Sequence, residues 1–142
     1  METNLAPLVA ILAAYLLGSV PFAMISSKLF GLADPRSYGS GNPGATNVAR
    51  VAGRGAGAIV LLGDLAKGAL PAAVGLAVGG TLLGLACGAA AVLGHVAPVT
   101  RHFRGGKGVA TASGMVIVLY PALSLVVGAV FVATALITRR VS

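Results

Sequence analysis

Charged residues are scarce in this chain, and acidic residues are the scarcest. Three of the 142 residues are Asp or Glu and ten are Lys or Arg, so the formal net charge is +7. Soluble domains carry about 25% charged residues, and the 9% found in this chain excludes a water-soluble globule. The 57% share of apolar residues excludes a disordered chain. The composition therefore indicates a membrane protein, and its 21 glycines are typical of closely packed membrane helices.

Residue types that bind metals or form disulfides are also few. Two His and three acidic residues cannot supply a carboxylate cluster or a metal cage, and Cys87 is the single cysteine. We therefore expect no metal, no cofactor and no intramolecular disulfide. We also expect no nucleic-acid partner.

The first long uncharged run predicts a membrane helix near the N-terminus. Residues 5–27 contain no charge and are long enough to cross a hydrocarbon core of about 30 Å. Pro21 lies inside this run and predicts a kink near Gly18 to Ser19.

The second apolar block, residues 55–94, is too long for one crossing. A straight helix of that length would be about twice as long as the membrane core is thick. We expect a turn at Gly79-Gly80 and helices over 55–78 and 81–94. Three glycines would then face another helix at a spacing of four residues: Gly80, Gly84 and Gly88.

The third uncharged run, residues 108–138, is interrupted by Tyr120-Pro121. It forms either one long tilted helix or a hairpin of two short segments. The predicted fold is all-α: a polytopic membrane helix bundle of four or five membrane segments with two glycine-rich cytoplasmic loops. Residues 1–142 are expected to form a single membrane domain.

Two basic loops, residues 28–54 and 95–107, separate the apolar runs. They must lie on the same side, because two crossings separate them, and basic residues mark the cytoplasmic side. We therefore expect both loops in the cytoplasm and the N-terminus outside. Arg139 and Arg140 would also prefer the cytoplasm, which favours the hairpin.

Both loops combine glycine with small polar side chains and a cation. Residues 38–47 and 104–111 are the richest parts. Glycine allows backbone N–H groups to converge on an anion, and Arg and Lys supply the counter-charge. The two loops predict two phosphate sites or one large one. The alternative is that they are ordinary turns whose charges set the topology.

Several familiar motifs do not fit. The glycines of 39–44 match G-x-G-x-x-G, but an apolar helix precedes them instead of the strand that a dinucleotide site requires. His95 is a candidate for capping a helix or binding a phosphate, not for a general base. Asp64 and Lys67 are spaced i, i+3 in an apolar segment. Ionisable residues there are either functional or a mutual ion pair that hides both charges.

Taken together, the motifs resemble the membrane acyl-phosphate:glycerol-3-phosphate acyltransferases, the PlsY family. The likeness covers residues 15–138. It rests on five separated segments in the family's order: Gly18-Ser19-x-Pro21-Phe22, Gly39-Ser40-Gly41-Asn42-x-Gly44-Ala45-Thr46-Asn47, Asp64-x-x-Lys67-Gly68, Gly94-His95, and Gly105-Gly106-Lys107-Gly108-Val109-Ala110-Thr111.

The resemblance implies transfer of a fatty acyl group from acyl phosphate to the 1-hydroxyl of glycerol 3-phosphate. The product would be lysophosphatidic acid, for phospholipid synthesis in a bacterial inner membrane. Neither acyl-CoA nor acyl carrier protein would be the donor. The implied partners are the two phosphorylated substrates, the lipid bilayer and a nearby enzyme that produces acyl phosphate.

By the same motifs, Ser40, Arg50 and Lys107 would be catalytic. The substrate-binding positions would be Gly39, Gly41, Asn42, Gly44, Thr46, Asn47, Gly105, Gly106, Gly108 and His95.

The sequence departs from the family in two places. Pro43 replaces a β-branched residue, which would stiffen the loop. Family members are also longer, with a third cytoplasmic motif of His, Asn and Arg that this chain lacks. Two alternatives therefore stay open: an inactive truncated member of the family, or an anion-binding or transporting membrane protein.

Overall fold

The structure, a computed structural model, describes residues 5–138, which form helices joined by loops and short 3-10 turns. The helices are α1 (Ala6–Gly18), α2 (Phe22–Leu29), α3 (Ala45–Ala52), α4 (Arg54–Val96), α5 (Val109–Leu119) and α6 (Pro121–Thr138). The 3-10 turns, Pro35–Ser37 and Val99–Arg101, lie in the two loops. The all-α prediction is confirmed. Arg139 and Arg140 lie outside the described residues.

The first apolar run is broken where a kink was predicted. α1 ends at Gly18 and α2 begins at Phe22. Pro21 has φ −92° and ψ 76°, outside the helical region, and its ring nitrogen cannot donate to the helix ladder. The break exposes the carbonyl of Val20 to donors from other helices.

α4 folds back on itself at the predicted turn. Gly79 (φ −142°, ψ 20°) and Gly80 (φ 73°, ψ −169°) are non-helical and divide α4 into a first arm, residues 54–78, and a second arm, residues 81–96. A Cβ atom on Gly75 would lie 2.6 Å from the carbonyl oxygen of Leu83 and 2.9 Å from the Cα of Gly84. The two arms therefore pack with their backbones in direct contact.

Glycine lies at nearly every helix crossing. A Cβ on Gly18 would overlap Ala91, where α1 crosses the second arm of α4, and one on Gly68 would overlap Thr111 of α5. Of the predicted glycine ladder, Gly84 and Gly88 do face neighbouring side chains. Gly80 does not, because its Cβ would meet nothing. Glycine is needed there because the turn requires a positive φ.

Helix α3 lies inside a segment that was predicted as a loop. It begins after Gly44 and buries Asn47 and Val48. Val48 packs with Val60 of α4 and Ala23 of α2. The helix has only eight residues, too few to be stable alone, so packing on α4 stabilises it. The prediction of a loop was wrong because it extended the turn chemistry of the glycine-rich stretch to the residues that follow it.

Residues 108–138 form two helices, so the single long helix is wrong. Tyr120 has φ −141° and ψ 67° between α5 and α6. The helical region of backbone conformation is disfavoured for a residue that precedes proline. In residues 121–138 no residue is buried. Among the described helices, α5 is the one that α6 contacts substantially.

Large apolar side chains cover the outside, while the interior is built from Gly, Ala and Val. Leu82 is 81% exposed and Ile137 82%, whereas Ala56, Ala72 and Ala91 are fully buried. Three helical stretches of the described residues are long and apolar enough to cross a membrane: Ala6–Leu29, Arg54–Arg101 and Pro121–Thr138. The shorter apolar helix is Val109–Leu119.

Gly18→Ala is expected to destabilise the bundle. The added methyl would overlap the backbone of Ala91, and overpacking of this kind costs about 1–3 kcal/mol. Gly55→Ala is the matched control, because its methyl would lie 3.9 Å from Phe30 in ordinary contact. Thermal unfolding of the purified protein in detergent measures both. Equal melting temperatures for the two variants would contradict the close crossing.

Candidate functional site

Asn47 determines the shape of the first glycine-rich loop. Its Oδ1 accepts the N–H of Ser40 at 2.9 Å, and its Nδ2 donates to the carbonyls of Pro35 at 2.9 Å and Tyr38 at 3.1 Å. The side chain is 3% exposed. Gly39 has φ 58°, and a Cβ there would overlap the Asn47 amide. Asn47, assigned above to substrate binding, has its amide hydrogens engaged by the loop itself.

An ion pair fixes the start of this loop. Arg36 Nη2 lies 2.6 Å from Asp34 Oδ2, and the Arg36 N–H also donates to Asp34 Oδ1. The guanidinium hydrogen bond holds the pKa of the Asp34 carboxyl below its usual range. The pair is partly exposed, so we expect it to contribute little to stability.

The second glycine-rich loop folds back along the end of α4. The N–H of Gly105 donates to the Val96 carbonyl at 3.0 Å, and the N–H of Gly106 donates to the His95 carbonyl at 3.1 Å. A Cβ on Gly105 would overlap the His95 carbonyl, and one on Gly106 would overlap the His95 ring. These two N–H groups are therefore committed to the fold. Gly105 and Gly106, assigned above to substrate binding, are needed for close packing.

Asp64 and Lys67 form a buried ion pair beneath the two loops. Lys67 Nζ lies 2.8 Å from Asp64 Oδ1 and donates to the Val20 carbonyl at 3.0 Å. Both residues are 4% exposed. His95 Nδ1 lies 3.5 Å from Asp64 Oδ1 and has no hydrogen-bond partner within the described residues. The ion-pair interpretation is confirmed, and the pair joins α4 to the break between α1 and α2.

Both loops open onto one cavity of about 530 Å³. Its polar wall comes from the loops and includes Ser40, Asn42, Thr46 and Lys107, with Asp64 and His95 behind them. Its apolar wall comes from one face each of α4, α5 and α6. The apolar residues are Leu61, Leu65, Val109, Ala110, Val116, Ile117, Val127 and Phe131. A polar end continuous with an apolar end suits a lipid that carries a charged headgroup.

The structure brings eight of the predicted site residues to this cavity and leaves five outside its wall. Those in the wall are Ser40, Asn42, Gly44, Thr46, Asn47, His95, Lys107 and Gly108. Those outside are Gly39, Gly41, Arg50, Gly105 and Gly106. Arg50 is exposed near the end of α3, one turn beyond Thr46.

Sequence reasoning missed the contribution of α5 and α6 to the site. Ser124, Val127, Gly128 and Phe131 share one helix face by their spacing, and all line the cavity. The spacing was present in the sequence. No polar contrast marked that face, because α6 is apolar all round.

A smaller crevice of about 30 Å³, room for about one water, lies on the other side of the ion pair. Ser19, Lys67 and Arg101 line it. Asp64 and His95 line both spaces. These two side chains therefore form the partition between them.

The fold is an integral-membrane helix bundle with one large cavity between its two glycine-rich loops and its apolar helices. The chain belongs to the glycerol-3-phosphate acyltransferase family, whose profile matches residues 8–142. The relative from Dechloromonas aromatica, a glycerol-3-phosphate acyltransferase, is 56% identical over 84% of this chain and 61% of its own length. That from Pseudomonas paraeruginosa is 51% identical over 95% of this chain and 71% of its own length.

Two solved structures share the fold. The crystal structure of PlsY, an integral membrane glycerol 3-phosphate acyltransferase, in its glycerol 3-phosphate form superposes with a TM-score of 0.87 at 41% identity. The match covers 92% of this chain and 66% of that protein. The lysophosphatidic acid form gives 0.85 at 40% identity. The chain thus spans a little under two thirds of several of the relatives that it matches.

Lys67→Met is expected to destabilise the protein strongly, because it leaves Asp64 buried without its cation. Removing one partner of a buried pair costs about 3–5 kcal/mol. The double variant Asp64→Asn/Lys67→Met removes both charges and is expected to be more stable than Lys67→Met alone. Thermal unfolding of the purified variants measures the coupling. The single variant Asp64→Asn completes the cycle. If the losses of stability in Lys67→Met and Asp64→Asn simply added in the double variant, the ion pair would be excluded.

Proposed function

We propose that this chain binds an acyl phosphate and glycerol 3-phosphate in the 530 Å³ cavity and transfers the acyl group to the 1-hydroxyl of glycerol 3-phosphate. The product is lysophosphatidic acid. The observation that carries the proposal is the union, in one cavity, of both glycine-rich loops and three apolar helix faces. The family's name and the bound forms of the PlsY crystal structures support it.

In this proposal the polar end holds the reacting groups. Lys107 supplies a cation to a substrate phosphate, and the side chains of Ser40, Asn42 and Thr46 supply hydrogen bonds from the opposite loop. Charge-assisted hydrogen bonds to phosphate are stronger than neutral ones. Arg50 lies outside the cavity wall in this structure, and a role for it requires its long side chain to reach a bound phosphate.

The chemistry requires positioning more than a strong base. The substrate hydroxyl oxygen forms a bond to the acyl carbonyl carbon, and the bond from that carbon to the phosphate oxygen breaks. The phosphate leaves with the electron pair, and the hydroxyl proton ends on a phosphate oxygen. Holding the two substrates together and neutralising charge on the leaving phosphate supply the rate enhancement.

The proposal also includes an orientation in the membrane. We place both loops on the cytoplasmic side of a bacterial inner membrane, where soluble glycerol 3-phosphate and a nearby source of acyl phosphate are available. The seven cations of residues 28–107 outside the buried pair, against Asp34 alone, support this orientation. The proposed crossings are Ala6–Leu29, the two arms of α4 and Pro121–Thr138, with α5 packed beside them.

Two other functions compete with acyl transfer. An anion-binding or transporting protein would bind phosphate at the same loops without forming product. An inactive family member would retain the fold but transfer no acyl group. The apolar wall of the cavity favours a lipid substrate over a small anion alone.

Lys107→Ala is expected to lower kcat/KM for acyl transfer by roughly ten- to a hundredfold, since a hydrogen bond to a charged group contributes about 1.5–3 kcal/mol. The assay supplies long-chain acyl phosphate and labelled glycerol 3-phosphate to the purified protein in bilayer discs. Lys28→Ala, an exposed cation outside the cavity, is the control and should retain the parent rate. Absence of product from the folded parent protein would reject acyl transfer, and phosphate binding without product would favour the anion-binding alternative.

A further inference from the structure

Packing accounts for the glycines at the helix crossings but not for Gly128. A Cβ on Gly68, Gly94 or Gly114 would overlap the backbone of a neighbouring helix. A Cβ on Gly128, in the middle of α6, would meet nothing within 4 Å. Its φ is not in the positive range that favours glycine. Because glycine weakens a helix interior relative to alanine, Gly128 lowers the stability of α6, and no packing contact requires a glycine there.

Gly128 lies in the wall of the large cavity. It follows Ser124 by four residues and precedes Phe131 by three, and all three line the cavity. Residues at these spacings share one helix face, so a side chain at position 128 would project toward the same space. Val116 and Ile117 of the neighbouring helix α5 line the same cavity.

We infer that Gly128 is a specificity-determining residue: the space left by its missing side chain accommodates the distal part of the donor's acyl chain and sets the length that is accepted. The inference rests on the proposed function. The occupant that we infer is an acyl chain, because one cavity extends from Lys107 in the second loop to Phe131 on α6. A phosphate held at Lys107 directs its attached chain along α5 and α6.

The test compares donors of two lengths with the 142-residue chain in bilayer discs. Gly128→Leu adds a branched side chain inside the cavity, and Ala129→Leu adds the same side chain at a neighbouring position outside the cavity wall. The measured quantity is the ratio of kcat/KM for palmitoyl phosphate to that for decanoyl phosphate. Since neither site is packed, both variants are expected to fold.

Gly128→Leu is expected to lower this ratio about tenfold or more, as a methylene misplaced in an apolar pocket changes discrimination by 10–200-fold. Ala129→Leu is expected to leave the ratio at the parent value. An unchanged ratio in Gly128→Leu, with the parent active, would overturn the inference and leave the proposed function intact.

A binding measurement separates failure of the inference from failure of acyl transfer. Hexadecyl and decyl phosphonates carry the same headgroup and cannot donate an acyl group. If the parent forms no product, the proposed acyl transfer is rejected. Binding of the phosphonates then tests the acyl-chain site by itself. Tighter binding of the longer phosphonate that is lost in Gly128→Leu but kept in Ala129→Leu supports the acyl-chain site. Equal binding of the two phosphonates by the parent overturns it.

Discussion

Lys67 donates to acceptors from two separate parts of the chain: the Asp64 carboxylate at 2.8 Å and the Val20 carbonyl at 3.0 Å. The first belongs to its own helix, and the second belongs to the break between α1 and α2. That carbonyl is available because Pro21 is non-helical and the Met24 N–H donates to the Pro21 carbonyl, not to that of Val20. Asp64 in turn lies beside His95, whose carbonyl accepts the N–H of Gly106. One buried pair thus connects the broken first helix, both arms of α4 and the second loop.

Close backbone contact is the second constraint, and it determines where the cavity lies. Glycines bring α1 against the second arm of α4 and α5 against the first arm. α5 begins at Val109, and Lys107, two residues before it, lines the same cavity as Ser40. α6 is held less closely and buries no residue. The closely packed helices position the polar groups, and α6 completes the apolar wall of the cavity.

The sequence predicted features whose cause is local. Pro21, Gly79-Gly80 and Tyr120-Pro121 act through their own backbone geometry. The breaks at the first two occur where they were expected, and the break at the third agrees with one of the two alternatives that the sequence left open. Helix α3 could not be predicted, because its stability comes from Val48 packing on α4 and α2. The motifs indicated the polar residues of the two loops. They did not indicate that Gly105 and Gly106 use their N–H groups within the fold, or that Arg50 lies outside the cavity, because tertiary packing decides both.

The central claim is that a phosphate headgroup and an acyl chain share one cavity between the two loops and α6. The measurement that tests it most directly is an experimental structure of the protein with hexadecyl phosphonate bound. The account predicts the phosphonate beside Lys107 and Ser40, with the alkyl chain between α5 and α6 and its distal part against Gly128. A phosphonate bound elsewhere, or a chain directed away from α6 with the cavity empty, would contradict the account.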